Sequence, residues 1–255
     1  MENLDTNVVQ AATAGFNLPH DVVQLPTGGL FYKNKQKSVK MGYLTASDEN
    51  LIADAIQRKN DSLVLGLIRS KLYEHDFKVN ELLEEDIEAL LIFLRNSSFG
   101  PEYSLNLTDP GTGKEFSVKI LLDELNIKQP NVKPNADGTF DVKLPKTESV
   151  VKIRPITYFE KTEIENMAQS YPQGRVVPTV TWRLNKQILQ LNGSEDRNQI
   201  STFIENLPIM DSKFIRNFLA ENVPSLDLKR QIQAPSGEMV NINITFGVEF
   251  FRPFF

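Results

Sequence analysis

The sequence predicts an α+β fold with a diverged tandem duplication, in which each half has short strands, a helical cluster and a β-hairpin. Apolar residues repeat every two positions in some segments and every three or four in others, which indicates both strands and helices. Turns rich in Gly, Pro and Asp separate the alternating segments, as they do in hairpins. The chain has 255 residues, 40% of them hydrophobic and 24% charged, which is enough to bury a core.

The chain begins with an arm followed by a predicted pair of strands. Residues 1–24 are rich in Asn, Gln and Thr without clear periodicity, which predicts a flexible N-terminal arm. Alternating stretches at 22–25 and 38–41 predict a hairpin, and Gly28 and Gly29 between them permit the backbone angles of a turn. The opening lacks the basic and apolar regions of a signal peptide, so we expect no export.

Three helices are predicted next. Thr45 is a capping residue with Asp48 three positions later, a second helix is expected from Asp61, and a third over 84–95. The third helix starts with the acidic run Glu84, Glu85 and Asp86, which suits the positive end of the helix dipole. A metal or acid/base site is the less favoured alternative, because no His follows the run at ligand spacing.

The remaining strands and helices are predicted from alternating apolar residues and from helix-capping residues. Residues 103–107 and 116–120 predict a hairpin around the turn 109–113, and 121–125 a short helix. Asp137 and Gly138 give a further hairpin signal. In the second half, Thr157 with Glu160 forms a capping box. Further helices are expected over 179–191, 195–206 and 211–222, and the last strands over 226–233 and 239–246.

A comparison of the two halves indicates the duplication. Residues 39–45 align with 151–157, and a Leu-Pro pair precedes each segment, at 25–26 and 144–145. A Pro-Gly turn follows at nearly the same distance in each half, at 110–113 and 235–237. We therefore expect one repeat over 25–130, a linker and hairpin start over 131–143, and a second repeat over 144–255. Coincidence among common dipeptides is the alternative.

The residues that carry enzyme chemistry are sparse. The chain has no Cys, and His20 and His75 each stand alone, which excludes thiol catalysis and a two-His zinc helix. The segment 111–114 resembles the end of a phosphate-binding loop, but Thr108 and Glu115 stand where that loop needs Gly and Ser or Thr. We therefore expect no catalytic residue, no cofactor site and no metal site.

Charge and hydropathy give no reason to expect nucleic acid or a membrane as a partner. The formal net charge is −5, which does not attract polyanions. The one basic cluster, Lys33, Lys35, Lys37 and Lys40, is more typical of a solvated loop than of a nucleic-acid patch. No apolar run approaches the roughly 20 residues that a membrane span needs.

The C-terminal end is rich in phenylalanine. Five of the last ten residues are Phe, and solvating that much aromatic surface is unfavourable by on the order of 25 cal/mol per Å². Two alternatives remain open: the tail folds back into its own core, or it docks into another protein.

Three segments resemble a known family. Residues 25–32 (LPTGGLFY), Val39-Lys40 and 44–49 (LTASDE) resemble the N-terminal signature of baseplate hub assembly proteins of T-even-like contractile-tailed phages. The resemblance is strongest over 25–68 and extends more weakly to both hairpins and to 250–253. Relatives often carry Cys-Pro-x-Cys-Gly, a zinc-knuckle pattern, at the hairpin turns. Here Asp109, Thr112 and Ala234 stand at Cys positions and the fourth is missing, so the resemblance implies the hairpin shape without the metal.

The resemblance implies a non-enzymatic, chaperone-like factor that binds hub subunits in the host cytoplasm during virion morphogenesis. A permanent subunit of the baseplate hub or wedge is the second hypothesis, and a cell-wall hydrolase the third and weakest. The expected partners are other phage baseplate hub or tail proteins, while the sequence indicates neither the particular subunit nor the oligomeric state. The candidate partner-binding residues are aromatic or apolar and lie near the two ends: Leu30, Phe31, Tyr32, Phe250, Phe251, Phe254 and Phe255.

Overall fold

The computed structural model describes residues 19–58, 63–73, 79–246 and 248–251. In these residues helices and strands alternate in short groups, which confirms the α+β class. The α-helices defined in the described ranges are α1 (Ala46–Arg58), α2 (Leu63–Lys71), α3 (Glu84–Phe99), α4 (Tyr158–Gln169), α5 (Thr179–Gln187), α6 (Arg197–Glu205) and α7 (Ile209–Asn222). Short 3₁₀ turns cover Val79–Glu81, Leu122–Glu124 and Val248–Phe251.

The strands form small antiparallel sheets. They are β1 (His20–Gln24), β2 (Ser38–Gly42), β3 (Glu102–Thr108), β4 (Glu115–Leu121), β5 (Ile127–Lys128), β6 (Phe140–Lys143), β7 (Val150–Ile153), β8 (Ile188–Leu191), β9 (Ser225–Leu226), β10 (Lys229–Gln233) and β11 (Met239–Asn243). The pairs are β1–β2, β3–β4, β5–β9 and β10–β11, and one three-stranded sheet has the order β6–β7–β8.

Helix α3 lies in the core of the molecule. Its apolar face, Ile87, Leu90, Leu91 and Leu94, is at most 2% exposed, as the helical spacing predicts. A single cluster of buried apolar side chains joins this face to residues from both halves of the chain. No helix in the described ranges is both long enough and apolar enough to cross a bilayer.

Most predicted elements are present, with shifted ends. The β1–β2 and β3–β4 hairpins are confirmed, and β1 pairs with β2 from His20 opposite Gly42. The flexible arm expected over 1–24 is wrong at its end, because residues 20–24 form β1 and pair with β2. The capping box of α4 is confirmed: Thr157 Oγ1 accepts from the Glu160 N–H, and Glu160 accepts from the Thr157 N–H. At α1 the side chain that accepts is Asp48, which receives both the N–H and the hydroxyl of Thr45. Asp61 lies outside the described residues.

Two predicted elements are corrected. The helix expected over 179–191 ends at Gln187, and β8 continues from Ile188 because it pairs with β7. The turn at Asp137 and Gly138 does not join two strands but precedes β6, whose hairpin partner β7 follows a turn over 144–149. In both places a long-range strand pairing, which local periodicity does not encode, decides the structure.

Two buried aspartates anchor corresponding loops in the two halves. Asp86, the third residue of α3, accepts from the N–H (3.0 Å) and the hydroxyl (2.6 Å) of Thr27, directly after the Leu-Pro pair that follows β1. Asp211, the third residue of α7, accepts from the N–H groups of Lys146 (2.8 Å) and Thr147 (2.9 Å), directly after the Leu-Pro pair that follows β6. Both aspartates are 0% exposed.

Candidate functional site

The structure places two of the C-terminal candidate residues in the core. Phe250 and Phe251 are each 1% exposed, and the Phe250 ring lies 5.3 Å from the Tyr103 ring. Arg95 of α3 holds this end of the chain: its Nε donates to the Phe250 carbonyl at 3.2 Å, and its guanidinium lies 4.9 Å from the centre of the Tyr103 ring. Burial lowers the pKa of Arg95. Phe254 and Phe255 lie outside the described residues.

The N-terminal candidates form a bent segment that packs against the second half. Leu30 and Phe31 are half-buried, and the Phe31 ring lies 6.0 Å from the Phe140 ring of β6. Gly138 approaches this segment so closely that a Cβ there would lie 2.9 Å from Phe31 Cα. Tyr32 is 6% exposed. Contact of these residues with a partner stays a prediction.

Tyr32 closes a buried hydrogen-bond network. Its hydroxyl donates to the Asp86 carboxylate and accepts from the Leu83 N–H at 3.0 Å. Burial, followed by the Asp86 charge, raises the pKa of Tyr32 well above its ordinary value. Burial also raises the pKa of Asp86, against the lowering effect of the hydrogen bonds from Thr27 and Tyr32. The network holds the loop after β1 against the start of α3.

The two hairpin turns, β3–β4 and β10–β11, meet through Asp109. Its carboxylate accepts from Gly111 N–H at 2.9 Å and from both the N–H and the hydroxyl of Ser236. These residues do not fit a zinc ion, since Thr112, Ala234 and Ser236 are not thiolate or imidazole ligands and both Asp109 oxygens are engaged. Across the part of the chain that the structure describes, no group of three or more His, Cys, Asp or Glu could hold a metal ion.

A cleft of about 420 Å³ opens where α4, α5 and α7 converge on the first turn of α3. Helix α5 lines it with Val180, Arg183 and Gln187, and α7 lines it with Arg216 and Leu219. Spacings of three or four residues bring these side chains to one face of each helix. The walls are therefore mainly apolar, with charged groups between them.

Glutamates from the start of α3 border this cleft. Glu84 forms an ion pair with Lys161 of α4, which also lies 3.8 Å from Glu165. Burial, reinforced by the neighbouring acids, raises the pKa of Glu85 from 4.5 to about 7. Burial and then the charges of Glu84 and Glu85 raise the pKa of Glu88 to about 8. Glu85 therefore changes its protonation near neutral pH.

Two buried acceptor atoms of cleft-lining residues have no hydrogen-bond partner in the structure. They are Oε2 of Glu85 and Oε1 of Gln187, a residue that is 2% exposed. A buried acceptor without a donor is unfavourable, and both atoms are enclosed by the protein rather than open to the cleft. The lining residues include no His, Cys or Ser.

Sequence reasoning missed this cleft. Its lining comes from four helices, and the acidic run at the start of α3 was the one local signal of it.

One of three comparisons with known proteins gives a match. A model of the family described as T4 bacteriophage base plate protein matches residues 24–252. No curated protein and no solved structure matches the chain. The family match confirms the resemblance to T4-like phage baseplate proteins that residues 25–68 indicated.

Proposed function

Because the chain belongs to the T4 bacteriophage base plate protein family, we propose that it is a non-enzymatic, chaperone-like assembly factor that binds hub subunits during virion morphogenesis in the host cytoplasm. The family match over residues 24–252 is the observation that carries this proposal. The partners are other baseplate hub or tail proteins. A permanent subunit of the hub or wedge is the second candidate, favoured by the same match.

The use of buried carboxylates supports a binding role over catalysis. The carboxylate oxygens of three buried aspartates accept hydrogen bonds from main-chain N–H and hydroxyl groups, which fixes loops in place. These residues are Asp86, Asp109 and Asp211. Glu85 has a raised pKa, and the other two acids that line the cleft, Glu84 and Glu165, both lie within ion-pair distance of Lys161. General acid–base catalysis needs a positioned reacting group as well as a suitable pKa.

We also propose that the end segments contribute to partner contact. Leu30 and Phe31 keep part of their surface exposed, so they can touch a partner directly. Tyr32, Phe250 and Phe251 are buried, so their contribution is to position the neighbouring residues. The arm expected over 1–24, whose residues 20–24 form β1, and the terminal Phe254 and Phe255 complete the proposed contact segments.

We further propose that the repeats 25–130 and 144–255, joined by 131–143, derive from one duplicated unit. A strand, β1 or β6, ends just before the Leu-Pro pair that opens each repeat, and a returning strand, a helical cluster and a hairpin follow. The anchoring of the loop after each Leu-Pro pair by the third residue of a helix, Asp86 or Asp211, supports this. Failure of the two halves to superpose in element order would contradict it.

Two measurements test the assembly role, one on infected cells and one on purified phage particles. The tagged full-length protein, purified during infection, should bring down hub subunits that mass spectrometry identifies. Purified phage particles should lack the protein. Its presence in particles at a stoichiometric level would favour the permanent subunit instead, and lysis of peptidoglycan by the purified protein would contradict the non-enzymatic role.

A further inference from the structure

The walls of the cleft between α4, α5 and α7 carry two arginines, one of which, Arg183, acts by its charge on Glu85 and lowers the pKa of that carboxyl. Arg183 of α5 and Arg216 of α7 line the cleft and are exposed, and neither forms an ion pair with any described residue. Lys161, by contrast, is engaged by Glu84 and Glu165. Two arginines on facing helices therefore offer positive charge to an occupant that carries carboxylates.

The cleft lining also includes apolar side chains and two buried polar groups. Ile164, Val180 and Leu219 supply apolar surface. Glu85 Oε2 and Gln187 Oε1 are buried acceptors without a donor in the structure. With its pKa near 7, Glu85 is partly neutral at physiological pH, so it opposes a nearby carboxylate less than an ordinary glutamate does.

The exposed face of α7 extends the cleft. Ile209 and Lys213 are exposed and lie two turns and one turn before Arg216, at spacings of four and three residues that place all three on one helix face. The Ile209 side chain is 83% exposed and adds apolar surface to this face. The strip from Ile209 to the cleft is long enough for several residues of an extended chain.

We propose that this cleft and the α7 strip form the docking site for a short segment of a partner protein in which apolar side chains stand next to carboxylates. The apolar side chains cover Ile164, Val180 and Leu219, and the carboxylates pair with Arg183 and Arg216. The inference rests on the proposed role in binding other proteins and names the chemistry of the partner.

A labelled peptide tests the site on the full-length protein. The probe is a fluorescein-labelled octapeptide of alternating leucine and aspartate, with a leucine–lysine octapeptide as the charge control. We expect saturable binding of the acidic probe alone, followed by anisotropy. Trp182, the one tryptophan of the chain, stands next to Arg183 in α5, so its emission should change on binding. Binding should weaken as salt is raised.

Variants connect the binding to these residues. The double change R183E/R216E should weaken binding by about tenfold or more, since it replaces attraction with repulsion. The matched control K114E/K133E makes the same change in net charge at two exposed lysines outside the cleft and should bind as the unaltered protein does.

The outcomes separate this inference from the proposed function. No binding of the acidic probe, equal binding of both probes, or unchanged binding by R183E/R216E overturns the docking site. If the full-length protein nevertheless captures hub subunits during infection, the assembly role stands without this site. If the acidic probe binds as expected and hub subunits are not captured, the docking chemistry stands and the assembly role fails.

Discussion

The carboxylate of Asp109 joins two hairpin turns by accepting from Ser236, at 2.9 Å from the main-chain N–H and 2.5 Å from the hydroxyl. The two residues are 127 positions apart in the chain. The turns touch so closely that a Cβ on Gly111 would lie 2.8 Å from the Ser236 Cβ. A pair of hydrogen bonds thus connects the hairpin of each half where the resemblance led us to consider a metal-binding turn.

Asp109→Asn should loosen this connection and lower the thermal denaturation midpoint. The hydrogen bonds from Ser236 hold the pKa of Asp109 below its ordinary value. Because the folded pKa is lowered, the stabilisation is present above the ordinary pKa and is lost as pH falls through the folded one. The midpoint difference between the unaltered protein and the variant should therefore shrink in acid.

Two comparisons check this expectation. Ser236→Ala should have a smaller effect than Asp109→Asn, because the Ser236 N–H can still donate. Asp123→Asn makes the same chemical change at an exposed carboxylate and should leave the midpoint nearly unaltered. Equal midpoints for all three variants would show that the Asp109 contact contributes nothing to stability.

The sequence predicts the elements whose signals are local. Helix α3 follows from apolar residues at helical spacing, and the β3–β4 hairpin from alternation around a Pro-Gly turn. The β8 strand was missed because its segment continues the apolar pattern of α5, and the β7 strand with which it pairs lies far away in the chain. The hydrophobic periodicity of a segment does not show with which distant segment it pairs as a strand.

The acidic run at the start of α3 shows the same limit for the candidate site. Successive residues on a helix point in different directions, so the three side chains meet different surroundings. Glu84 pairs with Lys161, Glu85 lines the cleft, and Asp86 is buried against Thr27. These partners lie 77 and 59 positions away, and the helix-dipole interpretation accounts for the position of the run but not for these contacts.

Tyr32→Phe should destabilise the fold by about 1–3 kcal/mol, measured by urea denaturation. The change removes the hydroxyl that donates to Asp86 and accepts from the Leu83 N–H, leaving both buried groups short of a partner. Tyr43→Phe is the matched control, because the Tyr43 hydroxyl donates to Asp21 at the surface. Its cost should be about 0.5 kcal/mol or less. Similar costs for the two variants would contradict the buried network.

Phe250→Ala should lower the free energy of unfolding by about 3–5 kcal/mol, the usual cost of a cavity left by a buried phenylalanine. The Phe250 ring is 1% exposed and contacts the rings of Tyr103 and Phe246. Phe159→Ala makes the same change at a ring that is 47% exposed and should cost about 1 kcal/mol or less. A Phe250 variant as stable as the unaltered protein would mean that this segment does not belong to the core.

Glu85→Gln should stabilise the protein above neutral pH and have little effect near pH 4. Burial raises the folded pKa of Glu85 to about 7 from 4.5, so below pH 4.5 the carboxyl is neutral in both states. As pH rises from 4.5 to 7 the unfolded chain ionises first, and stability is lost until the folded pKa is passed. Glutamine cannot ionise, so the variant keeps this stability. The free energy of unfolding that the unaltered protein loses is on the order of 1–3 kcal/mol at pH 8.

Denaturation in urea at several pH values measures this difference. Glu205→Gln is the control, since Glu205 is exposed and lies outside the cleft. Its curve of unfolding free energy against pH should run parallel to that of the unaltered protein, whereas the Glu85→Gln curve should separate from it between pH 4.5 and 7. The substitution should also lower the pKa of Glu88, because the charge of Glu85 contributes to raising it. Parallel curves for Glu85→Gln would mean that its carboxyl is solvated and that the floor of the cleft is open to water.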